Sequence, residues 1–148
     1  MFEILVNRAS AYGIGIINNV MIDEINILQA TQQAMRLAVE ALNVVPGHLL
    51  VDGNYFIEFG IPHTKIVKGD CKSISIASAS IIAKVVRDRW MVEHADRLYP
   101  EFGFAKHKGY GTKEHYKAIE KHGICPLHRK SFLKRIVLPN LFQGKRTN

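Results

Sequence analysis

Cysteine is nearly absent. The 148 residues hold two, Cys71 and Cys125, far apart and outside any CxxC spacing. That excludes a disulfide scaffold and a paired-cysteine zinc site, and free thiols of this kind point to a reducing, cytoplasmic compartment. Long apolar runs are missing too. No stretch approaches the roughly 18 to 20 uninterrupted apolar residues of a membrane helix, and Glu3 stands where a signal peptide would carry positive charge. No membrane partner is expected. Internal repeats, low-complexity tracts and linkers are also lacking, so residues 1–148 read as a single domain. Acidic residues are scarce in one region only. From residue 106 onward eleven Lys and Arg face two Asp and Glu, whereas the first 105 residues carry nine against eleven. A basic third interleaved with Tyr110, Tyr116 and Phe132 is the electrostatic footprint of a nucleic-acid partner, or else a solvated basic face.

Several catalytic signatures are absent as well. There is no GxxxxGK[ST] phosphate loop, and Ser78 and Ser80 lack a GxSxG elbow. His115 and His122 stand seven apart, two helical turns and too distant to chelate one ion from a single face. Cys125 lies near His122 and His128 in sequence without further sign of an activated nucleophile. The histidines are therefore expected at the surface.

What is present is an α/β pattern. Residues 11–19 alternate small and apolar residues before Asn18-Asn19 and read as a strand. Ile25, Leu28, Gln32, Met35, Val39 and Leu42 then follow a 3-4-3-4-3 spacing, one helix face interrupted by a single polar residue. Two short strands follow, HLLVDGN and HTKIVKGD, and Pro100 ends a long helix rich in small residues that begins near Ser73. Thr112 and Gly123 bracket a short helix as N-cap and C-terminal glycine. A basic, partly helical segment, Leu127–Leu141, closes the pattern. Strand, helix, strand, strand, helix is the order of a mixed α/β domain. The N-terminal FEILVNRA reads as the end of a helix.

Two features carry candidate chemistry. Asp52 and Asp70 each stand at or just beyond the carboxyl end of a strand, where ligands collect in open α/β sheets. If the strands are neighbours, their ends lie about 5 Å apart. A carboxylate pair so close suits a hard divalent cation such as magnesium, which takes one or two protein carboxylates together with water and phosphate. Asp-Gly and Gly-Asp are equally common turn formers, and the two readings stand side by side. In HKGYGT, Gly109 and Gly111 let backbone amides approach a phosphate or sugar. His107 and Lys108 supply charge, and Tyr110 offers a stacking face, unless the segment is simply an exposed loop.

Taken in order, IDEINILQAT, VDGN, VKGD, SASIIAKVVRD, YPEFGFAKHKGYGT and HRKSF resemble bacterial ribonuclease HII from about residue 10 to residue 136. The resemblance implies a ribonuclease H-like mixed sheet flanked by helices, with a basic C-terminal substrate-binding region over about residues 101–148. It implies endonucleolytic cleavage of the RNA strand of RNA–DNA hybrids, including single ribonucleotides embedded in DNA. Four carboxylates would bind two Mg2+ or Mn2+ ions, and Asp52 and Asp70 match two of them as catalytic metal ligands. Tyr110 would stack on the deoxyribose beside the ribonucleotide, with Lys108, Gly109 and His107 also binding substrate. Lys84, Arg87 and Asp88 match as scaffold. The family's opening strand, with an Asp-Glu pair and a Gly-Arg-Gly stretch, has no counterpart here, because Asp23-Glu24 belongs to IDEIN. The chain thus reads as an incomplete enzyme, inactive or weakly active alone, or as a non-catalytic hybrid-binding module. The complete family enzyme is expected to be monomeric. The residual sheet here would expose an apolar edge and face and favour self-association.

Overall fold

The computed structural model describes residues 1–133, so the expected helical segment lies outside the described residues beyond Leu133. The elements are α1 (Phe2–Arg8), α2 (Asn19–Glu40), β1 (Leu49–Asp52), β2 (His63–Ile66), α3 (Ile74–Trp90), α4 (Asp96–Leu98), α5 (Phe104–His107) and α6 (Lys113–His122). A π-helical turn, Met91–Ala95, joins α3 to α4, and Pro100 opens a 3₁₀ turn, Pro100–Phe102, that ends the long helical stretch. The α/β class is as the sequence implies. The described residues form two compact units.

The first unit comprises Met1–Ile17 and Ile27–Asp88. Its strands β1 and β2 pair in parallel, with Leu49 opposite His63 and Asp52 opposite Ile66. Alternation along β1 turns Val51 inward at 6% exposure and leaves Leu50 45% exposed. The connection between the strands is held by Phe56, buried against Phe59 and His63 at centroid distances of 5.2 and 4.9 Å. Gln32, the polar interruption in the α2 face, is itself buried, and its Oε1 accepts the Ile57 N–H at 2.9 Å. A buried amide is tolerated where it satisfies a backbone donor.

Residues 11–18, expected as a strand, form no ladder. The small residues that suggested alternation pack against a helix instead of a neighbouring strand. A Cβ on Gly15 would fall inside the contact shell of the Ala34 carbonyl oxygen and 2.7 Å from the Ala38 nitrogen. One on Gly13 would overlap the Ala38 carbonyl oxygen. Glycine is required there by close approach of two backbones, not by a pleat.

The second unit comprises Asn18–Asn26 and the described residues from Arg89 on. Helix α2 breaks at Asn26, with φ 70° and ψ 164°, and this break divides the face counted continuously in the sequence. Leu28, just beyond it, is 47% exposed. The unit's core is Ala95, Phe102, Phe104, Ile119 and Cys125, with Met91, Tyr99, Tyr116 and Leu127 packed around it. Residues 19–23 clamp the chain near its end. Asn19 Nδ2 donates to the Pro126 carbonyl at 2.7 Å, and Asp23 accepts the Lys130 and Ser131 amides at 2.7 and 3.0 Å together with the Ser131 hydroxyl. The Ser131 hydroxyl holds the Asp23 carboxyl below the usual carboxylate range. Asp23 thus caps a distant segment.

Candidate functional site

The strand ladder ends at Asp52 and Ile66. Gly53 N–H donates to the Ile66 carbonyl at 3.0 Å, closing the parallel pair beside Asp52. Beyond β2 the chain turns sharply. Lys68 adopts a left-handed conformation (φ 56°, ψ 48°) and leads into a 3₁₀ turn, Gly69–Cys71, whose last amides bond back to Lys68 and Gly69. Asp52 Oδ1 accepts the Gly69 N–H at 2.7 Å, and Asp70 Oδ1 accepts the Cys71 N–H at 3.0 Å. Gly69 is buried beneath this corner, and a Cβ there would sit 2.5 Å from Ile76 Cδ1 and 3.3 Å from Asp52 Oδ1. Ser73 Oγ accepts the Ile76 N–H at 3.4 Å and starts α3.

The turn reading of these aspartates is met. Each carboxylate uses one oxygen to hold a turn, and both residues are exposed. Asp52 is tied to the residue next to Asp70, which brings the two to one corner at the carboxyl end of the strand pair. The donor set is two hard oxygen ligands, the kind magnesium or manganese takes, and the remaining positions would fall to water and phosphate. Among the described residues no group of three His, Cys, Asp or Glu side chains could hold a metal ion. Asp88, further along α3, accepts Lys84 Nζ at 2.8 Å and an Arg87 Nη at 3.0 Å; these bonds hold its carboxyl below the usual range.

The HKGYGT segment is less a free loop than a braced one. Helix α5 ends at His107, and Lys108 (φ 51°) and Gly109 (φ 76°) both take left-handed conformations. The Tyr110 amide donates to the His107 carbonyl at 2.8 Å. Its carbonyl accepts the Thr112 amide at 2.8 Å and His115 Nδ1 at 3.0 Å. Its side chain is 52% exposed. Thr112 caps α6 as expected, its Oγ1 accepting the His115 N–H at 3.2 Å. Lys108 Nζ folds back onto the carbonyls of Ala105 and Lys106, so its charge lies over the end of its own helix.

His107 corrects the expectation of a surface contact. It is 7% exposed, its Nε2 donates to the Phe102 carbonyl at 2.9 Å, and its Nδ1 accepts the Gly109 N–H at 3.2 Å. His115 and His128, also expected at the surface, are 6% and 7% exposed. Their Nε2 atoms lie 3.1 Å apart, and His107 stacks on His115 at 4.3 Å. Burial pushes both imidazoles below the usual range, opposed at His115 by the bond to Tyr110 and at His128 by the bond to Cys125. Cys125 Sγ lies 3.1 Å from His128 Nδ1, and burial pushes this thiol up, so it is no ready nucleophile. Phe104 meets all three rings at 5.5 to 5.9 Å. The signal that could have found His115 is its position one turn from Ile119, on the apolar face of α6.

An α/β chain with a carboxylate-bearing corner at the end of a parallel strand pair and a separate braced, basic loop is the class these features define. The ribonuclease HII family model matches residues 2–135. Ribonuclease HII of Clostridioides difficile is 58% identical over 137 residues, covering 93% of this chain and 53% of that protein. Ribonuclease HII of Acetivibrio thermocellus is 52% identical over 138 residues, covering 93% and 54%. That of Geobacillus kaustophilus is 55% identical over 124 residues, covering 84% and 47%. The chain belongs to the ribonuclease HII family, and it spans about half the length of these curated relatives.

Proposed function

We propose that this chain carries part of the machinery of a metal-dependent endonuclease that hydrolyses the RNA strand of RNA–DNA hybrids, including at single ribonucleotides embedded in DNA. The observation that carries the reading is the corner where Asp52 and Asp70 are joined through Gly69, in a chain of this family. Asp52 and Asp70 would hold Mg2+ or Mn2+. When bound, such ions supply an activated water and charge stabilisation at the leaving 3′-oxygen, leaving 5′-phosphate and 3′-hydroxyl ends. The chain's own part is to orient these carboxylates through the Gly69 and Cys71 amides and to present Tyr110 as a flat, exposed ring on a fixed backbone. A stacked ring beside a sugar is a means of sensing the 2′-hydroxyl. Lys108 and Gly109 shape the loop, and His107 supports it from beneath. The basic C-terminal third draws the duplex by its phosphates. We place this activity in the cytoplasm. Among the described residues no helix is long and apolar enough to cross a membrane.

With two carboxylates at the corner, this polypeptide alone is inactive or weakly active, and its exposed Leu50 and Val67 favour self-association. A labelled hybrid and a duplex with one embedded ribonucleotide, each with Mg2+, Mn2+ or chelator, test the reading. Hybrid binding with faint metal-dependent cutting, abolished in Asp52→Asn, is the expected result. Robust cutting lost in that variant would overturn the inactivity. Binding indifferent to chelation, with no cutting at all, would favour a non-catalytic hybrid-binding module. Failure to bind either duplex would sink the proposal.

A further inference from the structure

The shorter hydrogen bonds around the buried histidines favour one proton arrangement. The Tyr110 carbonyl can only accept, so His115 carries its proton on Nδ1 and presents a lone pair at Nε2. His128 Nε2, 3.1 Å away, must then donate to it. That leaves His128 Nδ1 as the acceptor for the Cys125 N–H at 2.9 Å. His107 follows the same logic, donating from Nε2 to Phe102 and accepting at Nδ1 from Gly109. Each of the three rings has both nitrogens committed. A proton added at His115 Nε2 would face the His128 N–H, whereas one added at His128 Nδ1 would face the Cys125 N–H but also reach the Cys125 carbonyl at 3.3 Å.

We propose that His115 and His128 are positioning residues for the Tyr110 loop, a neutral pair locked in series that holds the Tyr110 carbonyl and lets go when His115 is protonated. The consequence for recognition rests on the reading of Tyr110 as a hybrid contact. The groups facing the pair are neutral or add positive charge. His107 stacks from α5, Cys125 and Tyr116 lie alongside, and Phe104 and Phe102 close the rest, with His122 against the Phe102 edge. Glu101 acts on Cys125. Among the described residues no carboxylate acts on either imidazole, in keeping with burial as the leading cause that depresses both rings.

The sign follows. A histidine depressed in the folded protein stays neutral there while the released state takes up the proton, so the braced loop is fully favoured above about pH 6.5 and loses ground below it. One proton taken up on release gives at most about a tenfold loss by pH 5.5. The test uses the full chain at pH 7.5 and 5.5. Imidazole nitrogen shifts and the Gly109, Tyr110 and Gly111 amides are followed by NMR without nucleic acid, and hybrid affinity is measured in parallel. His115→Asn keeps an N–H that reaches the Tyr110 carbonyl but cannot titrate. It should hold the loop amides and the affinity flat between the two pH values. His115→Phe should displace the amides and weaken binding at both. Should His115→Asn fail to fold, His128→Gln carries the same test, because its amide can donate to or accept from His115 Nε2. Opposite tautomers, wild-type amides unmoved by acid, or a non-titrating variant as acid-sensitive as wild type would overturn the proposal. Responsive amides without hybrid binding at either pH would support the positioning role and overturn the hybrid reading.

Discussion

Asp52 performs two separable tasks, and substitution can part them. Its Oδ1 accepts the amide of buried Gly69, and its charge is the proposed contribution to a cation site. In Asp52→Asn the amide oxygen can still accept that N–H, so only the charge assistance is lost, about 1 kcal/mol. In Asp52→Ala the acceptor disappears and a buried donor is left unsatisfied, at about 1 to 3 kcal/mol. For a chain of this size each kcal/mol moves the midpoint of melting by about 2 to 4 °C. Asn should therefore melt within about 4 °C of wild type, and Ala about 2 to 12 °C lower. Mn2+ binding, followed by electron paramagnetic resonance, should weaken at least tenfold in both, since neither supplies an anionic oxygen. Equal destabilisation by Asn and Ala would refute the role given to the Gly69 bond. Unchanged Mn2+ binding in Asn would refute the role given to the charge.

Two further outcomes follow from packing and clamping. Gly15→Ala drives a methyl into the backbone of α2 around Ala34 and Ala38, so a loss of about 3 kcal/mol is expected in urea unfolding, the upper end for overpacking. Gly47→Ala, with open space around it, should change stability by less than about 1 kcal/mol and serves as the control. Asp23→Ala removes the acceptor that holds the Lys130 and Ser131 amides. Trypsin should then cut after Arg129 and Lys130 several-fold faster, and an unchanged rate would show that the clamp does not order this segment.

Local sequence rules carried the helices well because their signals are local. Thr112 and Gly123 bound α6 through a cap and a positive φ that depend on a few neighbouring residues. Pro100 ends the long helical stretch for an equally local reason. The expected first strand failed because alternation of glycine with apolar residues describes a pleat and a tight backbone contact equally well. Only the position of Ala34 and Ala38 on a separate helix decides between them. The α2 face was misjudged at Leu28 for a related reason. The periodicity runs unbroken through Asn26, whose left-handed φ resets the direction of the helix.

The candidate residues divide along the same line. Asp52 and Asp70 were legible as residues at or just beyond the ends of two strands, because the apolar runs before them mark those strands without any need for the turn bonds that employ them. The histidines were not legible, since composition assigns a histidine to the surface unless something is known to satisfy both ring nitrogens. What satisfies them here is mostly backbone, the carbonyls of Phe102 and Tyr110 and the amides of Gly109 and Cys125. Backbone groups carry no sequence signature. The braced loop is thus the part of the molecule where the same residue types, His107 among them, change meaning from exposed contacts to buried support beneath Tyr110. It follows that replacing His107 should disturb hybrid binding through loop geometry and not through loss of a phosphate contact. The salt dependence of binding would then keep its slope while the affinity falls, whereas a lost phosphate contact would lower the slope by about one.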